Sequence, residues 1–245
     1  MCRMIIAIGE LNFNPLIDSL ILMAEDKNEL HEHNKNNQGS FLHKEGWGIA
    51  YLDQDQNWII EKSPLPIYKD SKIDQCRNIN TNLAILHVRK ATKGIVSLEN
   101  THPFQQQDFV FCHNGGIHEE ILHSPSFQPQ GNTDSEKLFY SLLTEINHHP
   151  KIEDAIKINL NKYHNYSGIN LFLANKSHSY IYIKKNNLKE YFQMKLGINK
   201  NFLIISSEIL PNLPETKWQI LEQDDLITIN NQTKEFSIEN TSNSQ

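Results

Sequence analysis

Met1-Cys2-Arg3-Met4-Ile5-Ile6-Ala7-Ile8 opens a chain of 245 residues. Residues 4–8 are continuously apolar and of strand length, the pattern of a strand buried on both faces. Cys2 stands at the mouth of that strand. If Met1 is removed, Cys2 carries a thiol and a free α-amine together, so one residue supplies both a nucleophile and the base that activates it. An α-amine titrates near pH ~7.7–8.0, which leaves a useful fraction able to accept a proton at neutral pH.

Outward from this strand, Leu16, Leu20, Met23 and Ala24 recur at helical spacing behind Pro15, with Asn14 expected as N-cap. Residues 26–44 are polar and read as a long loop, a length that favours a lid or binding loop. Trp47–Leu52 and 58–62 read as strands joined by Asp53-Gln54-Asp55-Gln56. Leu83–Val88 and 109–112 are further strands, each ending where a polar motif begins. Thr133-Asp134-Ser135-Glu136 reads as a capping box opening a helix, and Ile152–Leu160 as a second helix. Strands are expected again at 169–174, 180–184, Phe202–Ser206 and 226–229. The expectation is one α+β domain over residues 1–239, with stacked sheet and helix layers, followed by a disordered tail at 240–245.

The formal net charge is −6, from Lys+Arg 23 against Asp+Glu 29, and no basic run occurs. That composition offers no electrostatic footprint for nucleic acid or an anionic membrane, so a small-molecule partner is expected. Cys2, Cys76 and Cys112 fit neither a disulfide framework nor a zinc pattern. A reducing, cytoplasmic setting is expected, without metal or cofactor, with Cys76 and Cys112 packed as small apolar side chains. The first apolar run is too short for a signal peptide or a membrane span.

Several residues carry candidate chemistry, each beside a plainer role. Arg89 closes a strand, where its guanidinium fork suits a carboxylate; an ordinary ion pair is the commoner use. Asn114 and Gly115 could converge on an oxyanion, although Asn-Gly is also a frequent turn dipeptide. Asp134 lies in a first helical turn, favoured there by the helix dipole, and could equally bind an ammonium. Thr133 and Glu136 are explained by capping. His43 and His102 lack the partners of a zinc or triad site and read as structural or pocket-lining, while His31, His33, His148 and His149 read as solvent-exposed.

Together these residues resemble the class II glutamine amidotransferases, members of the N-terminal nucleophile hydrolases. The resemblance runs from Met1-Cys2-Arg3 through Gly46-Trp47-Gly48, His87-Val88-Arg89-Lys90-Ala91-Thr92-Lys93-Gly94, Asn100-Thr101-His102-Pro103-Phe104 and His113-Asn114-Gly115-Gly116 to Thr133-Asp134-Ser135-Glu136, with a weaker echo from Ser206 to Trp218. It implies a four-layer αββα sandwich in which Cys2 attacks the γ-carboxamide of glutamine and forms a γ-glutamyl thioester. It further implies Asn114 and Gly115 as the oxyanion hole, Arg89 on the substrate α-carboxylate, Asp134 on the α-ammonium and Thr92 among the substrate contacts. Large synthases of the family carry Trp and His where this chain has Lys90 and Lys93, so side-chain contacts from those positions are not carried over. With no synthase segment after residue 245, the chain looks like the stand-alone γ-glutamyl hydrolases. The leading expectation is hydrolysis of a γ-glutamyl amide. Alternatives are a glutaminase subunit serving an ammonia-accepting protein partner, an acylase, for which an Arg89–Asp134 clamp has no use, and a catalytically silent binding subunit, which retention of Met1 would favour.

Overall fold

Every residue of the first strand is buried up to its last, and the alternation of side chains explains how that is possible. Met4, Ile6 and Ile8 enter one apolar cluster, while Ile5 and Ala7 enter another on the opposite face. In the computed structural model, which describes residues 2–31, 39–185, 188–213 and 215–243, this strand is β1 (Arg3–Gly9). There follow α1 (Phe13–Ala24), β2 (Trp47–Leu52), β3 (Trp58–Ser63), β4 (Leu83–Val88), β5 (Phe104–Gln106), β6 (Phe109–Ile117), α2 (Asp134–Ile146), α3 (Ile152–Leu160), β7 (Tyr166–Ala174) and β8 (His178–Lys185). The chain continues through α4 (Lys189–Phe192), β9 (Lys195–Ile198), β10 (Phe202–Ser206), β11 (Lys217–Ile220), β12 (Asp225–Asn230) and β13 (Phe236–Asn240).

The strands form a seven-stranded sheet in the order β11-β9-β10-β1-β4-β2-β3 and a six-stranded sheet in the order β13-β12-β8-β7-β6-β5. The strand pairs are antiparallel throughout. Met4, Ile6 and Ile85 of the first sheet meet Val110, Cys112, Phe172 and Ile181 of the second in the central cluster. Helix α1 covers the outer face of the seven-stranded sheet, and α2 and α3 cover that of the six-stranded sheet. The layers are therefore αββα, as expected.

Several local expectations change. Asn12, not Asn14, caps α1, its side chain accepting from the Asn14 N–H. The strand expected over 109–112 runs on through Asn114-Gly115-Gly116 to Ile117, because these residues pair with Asn170, Ile169 and Gly168 of β7 instead of turning. The capping box is half formed. Thr133 accepts from the Glu136 N–H, but the Glu136 carboxylate accepts from the backbone of Gln130 and Gly131. Where the sequence reading places a tail, Asn240 ends β13 and residues Thr241–Asn243 form a 3₁₀ turn; Ser244 and Gln245 lie outside the described residues. His31 is buried, contrary to the sequence reading, while His33 lies outside the described residues. Cys76 and Cys112 are buried free thiols, as expected.

The described parts of the 26–44 segment form neither helix nor strand. Its feet are pinned. The Phe41 N–H donates to Asp26 Oδ2, and the His43 N–H donates to the Ala24 carbonyl.

Candidate active site

The strand ends place the candidate residues in one neighbourhood. Cys2 immediately precedes β1 and is buried. Its backbone nitrogen lies 2.7 Å from Asn114 Oδ1, and its Sγ lies 3.9 Å from the Lys90 carbonyl oxygen. Asn114 is fully buried on β6, and its Nδ2 has no hydrogen-bond partner among the described residues. A buried amide donor left unmatched is costly unless something else accepts from it, which makes Nδ2 a ready donor beside the thiol.

Gly115 follows with φ +154°, and a Cβ built on it would come within 1.7 Å of the Gly168 carbonyl oxygen. Only glycine allows β6 and β7 to approach so closely here.

Arg89 lies one residue beyond the Arg3–Val88 pair of β1 and β4, which sets it beside the nucleophile. Its Nη2 donates to the Lys93 carbonyl at 2.8 Å and its Nη1 to the Ile95 carbonyl at 3.1 Å, with longer contacts to Gly94 and Glu45. The guanidinium thus organises the loop that follows it. Burial pulls its pKa down, with Cys2 and Glu45 acting in the opposite sense. Thr92 is exposed on that loop.

Asp134 begins α2 and is buried, with Oδ2 accepting the Ile117 N–H at 2.7 Å. Lys93 Nζ donates to the carbonyl of the same Ile117. The loop carrying Arg89 and the acid at the start of α2 are therefore joined through one residue at the end of β6. Cys2, Arg89, Asn114, Gly115 and Asp134 are brought together, whereas Thr92 makes no side-chain hydrogen bond among the described residues.

Two histidines behind the site are structural in geometry. The rings of His87 and His102 stack with centroids 4.2 Å apart. Burial drives His87 down to about 3 and His102 well below its ordinary value, so both are neutral at physiological pH. No group of three His, Cys, Asp or Glu among the described residues could hold a metal. No helix among the described residues is long and apolar enough to cross a membrane.

Against this geometry, the family described as glutamine amidotransferases class-II matches residues 30–190. The chain belongs to that family. The chain is 35% identical over 115 residues to “Putative glutamine amidotransferase YafJ” of Escherichia coli (strain K12), a stretch covering 44% of this chain and 45% of the relative. Over 98% of its length the chain superposes on the glutamine phosphoribosylpyrophosphate amidotransferase from B. subtilis, with TM-score 0.68, 17% identity and 49% of that chain covered. It also superposes on a glutamine aminotransferase class-II domain protein from Silicibacter pomeroyi, with TM-score 0.63, 15% identity, and 98% and 99% of the two chains covered. The structural likenesses are of fold. The chain spans less than half the length of the curated relatives it matches.

Sequence reasoning assigned no role to Arg3, Glu208 or Tyr191 beside Cys2, and read His43 as structural or pocket-lining. Arg3 and Glu208 form a fully buried ion pair, and His43 Nε2 lies 3.1 Å from the Tyr191 hydroxyl. A charged residue heading an otherwise apolar strand was a readable signal for Arg3, since such a charge needs a partner. Nothing local identified Glu208 as that partner.

Proposed function

We propose that the chain hydrolyses a γ-glutamyl amide, glutamine or a γ-glutamyl peptide or amine, through a thioester on Cys2. The observation that carries this reading is the 2.7 Å contact between the Cys2 nitrogen and Asn114 Oδ1, with Asn114 Nδ2 unpartnered beside it. With Met1 removed, the Asn114 oxygen orients the α-amine of Cys2 so that a lone pair accepts the thiol proton. Sγ then bonds to the amide carbon. Asn114 Nδ2 and the Gly115 N–H receive the oxyanion, each donor contributing roughly 3–4 kcal/mol in acyl transfer. Collapse breaks the C–N bond, and the α-ammonium returns its proton to the departing amine. Water, deprotonated by the same α-amine, attacks the thioester; the C–S bond breaks, releasing glutamate and restoring the thiol.

Asp134 is the proposed partner of the substrate α-ammonium, and Arg89 that of the α-carboxylate. Because Nη1 and Nη2 already donate to four backbone carbonyls, those of Glu45, Lys93, Gly94 and Ile95, a carboxylate takes Nε or displaces one of those carbonyls. Substrate binding is thereby linked to the position of residues 93–95. Thr92, exposed on the same loop, is the proposed further contact.

A second reading, delivery of ammonia to a separate synthase, is supported by the longer chain of the phosphoribosylpyrophosphate amidotransferase, of which this chain covers 49%. Ile95 is 69% exposed, and Val96 and Leu98 are exposed beside it, on the loop that Arg89 organises.

The test is glutamate release from L-glutamine, glutathione and simple γ-glutamyl amides, with Cys2→Ala as control. Strong Cys2-dependent turnover of one compound identifies a dedicated hydrolase. Weak glutamine hydrolysis that rises on adding a synthase supports ammonia delivery, and no Cys2-dependent release from any compound overturns both.

A further inference from the structure

The ion pair of Arg3 and Glu208 lies directly behind the nucleophile. Arg3 Nε is 2.6 Å from Glu208 Oε1, and neither side chain exposes any surface. Burying both charges costs solvation that their attraction does not reliably recover, so a pair of this kind is a poor device for stability alone. Its contacts suggest another use. Arg3 Nη1 donates to the Tyr191 carbonyl at 2.9 Å, and the guanidinium carbon sits 3.8 Å from the centre of the Tyr191 ring. The Tyr191 hydroxyl in turn lies 3.4 Å from the Cys2 carbonyl oxygen and 3.1 Å from His43 Nε2. Burial holds His43 well below its usual pKa, with the Arg3 charge the next contribution, so the imidazole is neutral.

Glu208 is held as well. Its Oε2 accepts from Asn28 Nδ2 at 2.8 Å, and that nitrogen also donates to the Ile209 carbonyl. The neighbouring Ser207 brackets Met4 from both sides, its hydroxyl accepting the Met4 N–H and its own N–H donating to the Met4 carbonyl. Residues 2, 3 and 4 are thus held by Ser207 and Glu208 from beyond β10 and by Tyr191 of α4, with Asn28, at the start of the 26–44 segment, holding Glu208 in turn. On the other side, Cys2 meets Asn114 and the Lys90 carbonyl through hydrogen bonds.

We propose that Arg3, clamped by Glu208 and Tyr191, is a positioning residue that sets the Cys2 backbone so that its nitrogen faces Asn114 and its thiol faces the substrate. This rests on the thioester reading above. A nucleophile displaced by about 1 Å can cost on the order of 100-fold in rate, so a clamp one residue away has leverage without touching substrate.

The test compares wild type with Tyr191→Phe, Arg3→Lys and the double variant Arg3→Met/Glu208→Leu. Replacing both members of a buried pair by apolar residues of similar volume is often neutral for stability, whereas removing one is not. Melting temperature, kcat and KM on the best γ-glutamyl substrate, and the alkylation rate of Cys2 by iodoacetamide, followed by mass spectrometry, are measured for each. The double variant is expected to fold, to lose kcat by about 100-fold with KM little changed, and to alkylate Cys2 at an altered rate. Arg3→Lys is expected to fall between the double variant and wild type. Tyr191→Phe, the mildest change, is expected to lose about 2–10-fold in kcat. Folded variants, Tyr191→Phe included, with wild-type kcat and wild-type alkylation overturn the proposal. If wild type turns over no γ-glutamyl compound, the functional reading fails on its own; the clamp is then supported by an altered alkylation rate in the folded variants and overturned by an unchanged one.

Discussion

The Cys2 nitrogen and the Asn114 side-chain oxygen lie 2.7 Å apart although 112 residues separate them. If that amide also donates to a developing oxyanion, truncating it removes a donor and frees the nitrogen it orients. Asn114→Ala is expected to lower kcat on the best γ-glutamyl substrate by about 10²–10³. Steady-state kinetics on a variant shown to be folded by circular dichroism checks this, and undiminished turnover would remove Asn114 from the mechanism.

Gly115 and Gly116 are adjacent but meet different surroundings. A Cβ at 115 would overlap the Gly168 carbonyl at 1.7 Å on a backbone with φ +154°, whereas one at 116 would approach Ser167 Oγ at 3.2 Å. Gly115→Ala is therefore expected to destabilise by about 2–4 kcal/mol and Gly116→Ala by about 1 kcal/mol or less. Urea denaturation of both variants measures the contrast; equal losses would contradict it.

Asp134 is expected to act on the substrate ammonium, which separates its effect from that of a helix terminus. Asp134→Asn keeps an acceptor for the Ile117 N–H but removes the charge. KM for glutamine is expected to rise at least ~10-fold, from the loss of a charge-assisted hydrogen bond. The glutamine analogue lacking the α-amine should be handled alike by both proteins. A parallel loss on the two compounds would assign Asp134 to architecture alone.

Stability should depend on pH through buried imidazoles. Burial lowers His43, His87, His102 and His113 from the ordinary 6.5. The folded state thus refuses protons that the unfolded chain accepts, so the stabilisation is complete above about pH 6.5 and is lost as pH falls toward the folded values, about 3 for His87. Each imidazole contributes a slope of up to ~1.4 kcal/mol per pH unit in this window. Urea midpoints at pH 7.5, 6 and 5 should fall steadily, and a flat profile would mean that the imidazoles are protonated in the folded protein.

The layered architecture was legible where burial was uniform. Residues 4–8 announce a central strand because no polar side chain interrupts them, and the four-residue spacing of Leu138 with Leu142 and of Phe139 with Leu143 announces α2. The end of β6 was not legible. Asn114-Gly115-Gly116 has the composition of a turn, and its pairing with Asn170, Ile169 and Gly168 of β7, at an approach that the missing Cβ of Gly115 permits, is what keeps the backbone extended. Strands β5, β9, β11 and β13 are short, and β11 and β13 are largely exposed, so pairing rather than a local pattern defines them. At the candidate site, Cys2, Arg89, Asn114, Gly115 and Asp134 were singled out by type and position, and the structure brings them into one neighbourhood. The occupation of Arg89 by carbonyls of its own loop was not legible, since it depends on the path of residues 93–95. The Arg3–Glu208 pairing joins residues 205 positions apart and leaves no periodic trace.

Cys2 enters the seven-stranded sheet, while Asn114 and Gly115 belong to the six-stranded one. The thiol and the groups that would serve it are thus contributed by opposite halves of the sandwich. A folding intermediate with only one sheet assembled would hold either a nucleophile without its amide or an amide without its nucleophile, and the recovery of turnover during refolding would time the moment at which the two sheets dock.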